Sequence, residues 1–141
     1  MITFDRYYII STYPEVCDDE FVFEIDDGWM AHINVITDNI MKWIKHFNSD
    51  YNENVTMKIL QIKEKFGGLR YYYTLLNYED MSDENFKIFD TLRTDVSLYV
   101  SDMEKHSYHI CESCGMYGET VRMNGWLKTL CKFHKGVYDN D

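Results

Sequence analysis

Cys111-Glu112-Ser113-Cys114-Gly115 and Cys131-Lys132-Phe133-His134 place three thiols and one imidazole at the two ends of a short C-terminal segment. Cys-x-x-Cys followed by Cys-x-x-His is ligand spacing for a soft tetrahedral ion, Zn²⁺ first among them. Gly115 stands where the backbone of a metal-binding knuckle must turn through positive φ. Between the pairs, Thr120-Val121-Arg122-Met123 and Trp126-Leu127-Lys128-Thr129-Leu130 flank Asn124-Gly125, the dipeptide favoured in a two-residue hairpin turn. Cys131 and His134, three residues apart, share a face in the first turn of a helix. Knuckle, hairpin and ligand-bearing helix together predict a treble-clef-like zinc module. Cys111, Cys114, Cys131 and His134 would close the coordination shell and leave no position for water, which makes the expected zinc structural rather than catalytic.

Working outward, the length of 141 residues suits one α+β domain, divided here into a core over 1–106 and a zinc-binding module over 107–141. No apolar run approaches the ~20 residues of a membrane-spanning helix. The opening Met1-Ile2-Thr3-Phe4-Asp5-Arg6 lacks the basic and long apolar regions of a secretory leader. Thiolate ligands require a reducing compartment, so a cytoplasmic location is expected, the host's if the protein is phage-encoded. Cys17 stands alone and reads as a small buried apolar residue.

The net charge of −10 is unevenly spread. Beyond residue 106 the two signs balance, so the acidic excess lies in 1–106, and Glu15 to Asp27 carries seven carboxylates and no cation. Such a surface repels phosphate backbones at long range. It suits a basic protein partner, mimicry of nucleic-acid charge, or simply a solvated face.

Tyr7-Tyr8-Ile9-Ile10 and Phe21-Val22-Phe23-Glu24-Ile25 are short β-prone pieces around a turn-like acidic segment. Asp26-Asp27-Gly28 then opens a helix whose Trp29, Ile33, Ile36, Ile40, Trp43, Ile44 and Phe47 recur at three- and four-residue steps to about Asn48. Val55 to Ile62 reads as a strand. Leu69, Tyr71, Tyr73 and Leu75 mark a second, antiparallel to it, with Lys63 to Gly68 as the turn between them. Ser82 caps a long helix through Phe86, Phe89, Leu92, Val96, Val100 and Met103. The predicted architecture is α+β: a small antiparallel sheet, two long helices packed on it, and the C-terminal zinc module.

Gly28-Trp29, Lys63-Glu64-Lys65-Phe66-Gly67-Gly68-Leu69-Arg70, and the zinc segment ending in Thr129-Leu130-Cys131 and His134 resemble a family of small, uncharacterised proteins of bacteria and their phages. The likeness spans most of residues 28–134. It implies the fold and the metal but no activity, and the acidic N-terminal segment lies outside it. The Asn-, Tyr-, Ile- and Lys-rich vocabulary suits an AT-rich genome such as a phage's.

Lys63, Lys65 and Arg70 are the concentrated positive charge of the acidic part of the chain, and they surround Gly67 and Gly68. Two readings stand. The glycines form an anion-binding nest for a phosphate, a carboxylate or a partner's acidic group; or they only shape a hairpin turn whose cations bridge to helix carboxylates such as Asp38 or Asp95. No Gly-x-x-x-x-Gly-Lys-Ser/Thr loop supports a nucleotide triphosphatase. His106 and His109 precede the knuckle, as a proton-transfer pair, as substitute ligands, or as cations favouring the end of a helix. His32 and His46 fall outside the apolar stripe and read as surface residues. The reading favoured is a non-enzymatic, zinc-stabilised protein that binds and modulates another protein, plausibly a phage product acting on a host protein. The second is a nucleic-acid module using Arg122, Lys128, Lys132 and Lys135 with Trp126 as a stacking platform. The third, least supported, is an enzyme acting on a phosphorylated ligand through Lys63, Lys65 and Arg70. No membrane partner is expected, and the oligomeric state is not specified.

Overall fold

Ile33, Ile36, Ile40, Ile44 and Phe47 form one buried stripe in the computed structural model, which describes residues 3–139. Their helix, α2 (Met30–Tyr51), is entered through a 3-10 turn over Asp27–Trp29. It runs three residues past Asn48 and ends at Asn52 in the left-handed region, φ +52°. Asn48 does not stop the helix. Its side chain holds the N–H and C=O of Val55, each at 2.9 Å, and so fixes the entry to the next strand.

Two strands, β2 (Thr56–Lys65) and β3 (Gly68–Leu76), pair antiparallel. Met57, Ile59 and Ile62 of β2 are buried with Leu69, Tyr71 and Leu75 of β3. An irregularity between Ile59 and Gln61 shifts the alternation by one residue, which lets both Ile59 and Ile62 reach the core. The turn between the strands is shorter than expected. Lys63, Glu64 and Lys65 belong to the ladder, opposite Arg70, Leu69 and Gly68. Only Phe66 (φ +55°) and Gly67 (φ +81°) turn the chain, in the two-residue geometry whose twist matches a hairpin.

Helix α3 (Asp83–His106) begins as expected at Ser82, whose Oγ accepts the Asn85 N–H at 3.2 Å, with Asp83 and Glu84 in its first turn. It buries Phe89, Val96 and Val100. Its C-terminal end also covers the outer edge of β3. There Glu104 accepts the Tyr71 N–H at 2.8 Å and Ser107 Oγ accepts the Leu69 N–H at 2.9 Å, so side chains satisfy an edge that would otherwise be open to another strand.

The N-terminal segment departs from expectation in one piece. Tyr8–Thr12 is a short helix, α1, not a strand. Tertiary contacts outweigh β-propensity here: one turn buries Ile9 and brings the Tyr8 and Tyr13 hydroxyls onto Asp38, at 2.8 and 2.6 Å. The other piece is extended as expected, and its β1 (Phe23–Glu24) adds a parallel edge pairing to Ile62 and Lys63, in sheet order β1-β2-β3. No helix among the described residues is long and apolar enough to cross a membrane.

His46 is exposed as expected, but His32 is not a surface residue. It lies half-buried between α2 and α3, where Nε2 meets the Met103 carbonyl oxygen at 2.7 Å and the His106 ring lies 6.5 Å away. Burial lowers its pKa from the usual 6.5, helped by the neighbouring His106 and opposed by the Met103 contact. The unfolded chain therefore binds this proton more readily than the folded one, and stability falls as pH drops through about 6.5. His32→Gln, which keeps an N–H donor and cannot titrate, should flatten the decline in melting temperature between about pH 7 and 5.5 relative to wild type. Parallel declines in the two proteins would sink the assignment.

Candidate metal centre

The knuckle forms as its sequence requires. The Gly115 N–H donates to the Cys111 carbonyl at 2.8 Å, with Gly115 at φ +83°, and the Cys111 N–H donates to the Met116 carbonyl at 2.7 Å. Strands β4 (Glu119–Met123) and β5 (Trp126–Leu130) follow, turned by Asn124 (φ +51°) and Gly125 (φ +85°). Cys131 then stands immediately before helix α4 (Lys132–Asp139), and His134 lies in its first turn.

These elements bring one ligand atom each from Cys111, Cys114, Cys131 and His134 within 4.8 Å of one another. A tetrahedral ion with bonds of about 2.3 Å to sulfur and about 2.0–2.1 Å to nitrogen has S···S edges near ~3.8 Å and S···N edges near ~3.6 Å. Cys114 and Cys131 sulfurs are 3.8 Å apart, and His134 Nδ1 lies 3.7 Å from Cys111 Sγ and 3.3 Å from Cys131 Sγ. The four atoms fit a metal site. The two thiols are shifted in opposite senses: the His134 backbone N–H, 3.4 Å from Cys131 Sγ, is the chief cause that draws that thiol down to about 6, against burial. Burial instead pushes Cys114 up to about 11. A cation bound here would favour the thiolate form of all three cysteines.

The module is bound to the rest of the chain at two places. At the first, the 3-10 turn that leads into α2 lies under the knuckle. The Gly28 N–H donates to the Glu112 carbonyl at 3.0 Å, and Trp29, 1% exposed, donates from Nε1 to the Ile110 carbonyl at 2.8 Å. At the second, the β2–β3 turn lies against the metal hairpin. Thr129 Oγ1 donates to the Gly67 carbonyl at 2.6 Å and also meets Thr120 Oγ1 at 2.7 Å. Glu112 laces the knuckle to β5. Its backbone N–H donates to the Thr129 carbonyl at 2.9 Å, its buried carboxylate accepts the Thr129 N–H at 3.1 Å, and Lys128 Nζ approaches at 3.4 Å. Burial raises the Glu112 carboxyl above the usual range despite these partners. Thr129→Val keeps the shape and strands the buried Gly67 carbonyl, which should cost about 1–3 kcal/mol. A chemical-denaturation midpoint indistinguishable from wild type would contradict this.

The remaining candidates are dispersed. At the β2–β3 turn the Gly67 N–H donates to Glu64 Oε2 at 2.7 Å, so the chain's own carboxylate occupies the place of an anion. Lys63 lies over the Tyr72 ring and Lys65 over the Phe66 ring, while Arg70 turns to the Tyr108 hydroxyl and the Leu69 carbonyl. The expected bridges to Asp38 or Asp95 are not formed among the described residues; Asp38 takes the two tyrosines instead. Arg122 and Trp126 lie at the tip of the metal hairpin. Lys128 is drawn to Glu112 and the Tyr138 ring, and Lys132 and Lys135 project from α4. His109 stacks on Tyr117 and is not in the ligand cluster, nor is His106. Cys17 is buried, as expected. Residues 140–141 of the 107–141 module lie outside the described residues.

Sequence reasoning missed two contributors, Gly28 as the seat of the knuckle and Glu112 as its lace to β5, and it placed Phe66 in the turn without giving it a role. Only Glu112 carried a local signal, as a carboxylate between two ligand cysteines. Comparison with protein-family models, with curated proteins and with solved structures finds no match.

Proposed function

We propose that the protein is a zinc-stabilised, non-enzymatic binding protein, whose treble-clef-like C-terminal module presents an interaction surface to another protein. The observation that carries this is the tetrad. All four ligand atoms come from the chain in tetrahedral spacing, so a bound Zn²⁺ has a filled shell and acts as scaffold. Around that scaffold large apolar side chains stand in solvent: Met116, Tyr117, Trp126 and Phe133, each at least 68% exposed. Exposed apolar side chains on a chain otherwise so acidic support a contact surface there. Three zinc-bound thiolates fit a reducing, cytoplasmic setting, and a phage product acting on a host protein is the setting we favour.

Affinity capture from bacterial lysate, with and without nuclease, tests this. The expected result is a near-stoichiometric protein retained after nuclease treatment. The nucleic-acid reading draws on the exposed Trp126 beside Arg122. Nucleic acid alone, retained at low salt and released steeply as salt rises, would replace the protein reading with that one.

A further inference from the structure

Two hairpin turns from different sheets meet in a cleft of about 560 Å³, lined by Glu64, Lys65 and Phe66 from one and Arg122, Trp126 and Leu127 from the other. We propose that this cleft receives an acidic segment of a protein partner, with a bulky apolar side chain of that segment held at Phe66 and Trp126 and its carboxylates facing Lys65 and Arg122. The proposal rests on the protein-partner reading above and supplies the partner's chemistry.

The aromatic walls are out in water, Phe66 at 64% and Trp126 at 74% exposure. Phe66 also occupies a turn position at φ +55°, where asparagine or glycine would be accommodated with less strain. A phenylalanine held there and left in solvent serves neither the turn nor the core, and strained residues of this kind cluster at binding sites. The charge at the cleft is net positive, Lys65 and Arg122 against Glu64. Among the described residues Lys65 and Arg122 form no ion pair, whereas Glu64 Oε2 is engaged by the Gly67 N–H at 2.7 Å. On a chain of net charge −10, two unpaired cations beside two exposed rings are complementary to an acidic, apolar ligand. Tryptophan and arginine are also the side chains that most often anchor protein interfaces.

The same groups would suit a stacked base, but a single strand of nucleic acid is held by a basic groove that follows several phosphates. Here two cations flank one cleft, and the acidic remainder of the protein repels a polyanion along its length. A short acidic segment meets the protein only locally.

The test is amide and indole NMR of the zinc-loaded full chain, titrated with a blocked Glu-Asp-Phe-Asp-Glu peptide, with Lys-Lys-Phe-Lys-Lys, and with oligo(dT). The expected result is saturable shifts of the Trp126 indole N–H and the Lys65, Phe66 and Arg122 amides with the acidic peptide. Binding should weaken at least ~10-fold for the basic peptide and for Arg122→Glu or Trp126→Ala. Both substituted positions are exposed, so unchanged spectra elsewhere verify their folds. Shifts with oligo(dT) alone would make the cleft a nucleic-acid site. Equal response to both peptides would reduce it to unselective apolar contact, and no response to any probe would also overturn the proposal. If a captured protein is retained equally by wild type and Trp126→Ala, the protein-partner reading stands and the cleft is removed from it. Selective peptide binding with no protein captured would do the reverse.

Discussion

Cys131→Ser should abolish stable metal binding and unfold the chain from about residue 110 onward, while the sheet and the two long helices persist. The asymmetry follows from where the apolar burial lies. The core built by α2, α3 and β1–β3 buries Ile33, Ile36, Ile40, Ile44, Ile59, Ile62 and Phe89, with Trp29 from the preceding 3-10 turn. Among the described residues, the metal module's own apolar cluster buries Cys111, Met123 and Leu130. So small a cluster cannot stabilise a hairpin, a knuckle and a helix unaided. Structural zinc contributes about 10–16 kcal/mol in small modules, and losing a thiolate ligand removes most of it. Cys131 is also the ligand at the junction of β5 and α4, so its loss releases both. Amide exchange should show protection lost over β4, β5 and the knuckle and retained over β2, β3 and α3. A variant with zinc absent and the C-terminal amides still protected would refute the structural role.

Gly28→Ala is expected to be nearly as damaging, although it touches no ligand. A methyl at Gly28 would lie 2.5 Å from the carbonyl carbon and oxygen of Glu112, and closer still to the Cys111 carbonyl oxygen. All three are backbone atoms, so no rotamer change relieves the clash. The knuckle must lift from α2, and with it go the Gly28–Glu112 hydrogen bond and the seat of the Trp29 indole. Overpacking against backbone belongs at the upper end of the usual range, about 3 kcal/mol, or roughly 10 °C in melting temperature for a chain of this size. Zinc affinity should fall with it. Gly136→Ala is the control of opposite sign: it lies within α4 with nothing within 4 Å of an added methyl, and alanine there should stabilise by about 0.5–1 kcal/mol. Equal melting temperatures for Gly28→Ala and wild type would contradict the docking.

The metal centre is legible in the sequence because its determinants are local: ligand spacing, Gly115 after the knuckle, and Asn124-Gly125 at the turn. The two long helices are legible for a similar reason, since the apolar steps of α2 and α3 need no knowledge of their partners. The misread pieces depend on contacts distant in sequence. Tyr8 and Tyr13 are brought together at the two ends of α1 because Asp38 lies opposite them. His32 is half-buried because α3 crosses it. Gly28 reads as a helix start, and only the fold shows that the knuckle backbone rests on it. The hairpin turn reads as six residues, Lys63 to Gly68, because side-chain type says nothing about how far the ladder extends. In the structure strand pairing reaches Lys65 and Gly68, and Glu64 closes onto Gly67.

The central claim is a structural zinc in a closed Cys111–Cys114–Cys131–His134 shell. Zinc X-ray absorption on the purified full chain tests it most directly. One zinc per chain is expected, with three sulfur neighbours at about 2.3 Å, one imidazole nitrogen at about 2.0–2.1 Å, and no water ligand. A chain free of zinc when purified and unable to take it up, or a zinc carrying an exchangeable water, would contradict it.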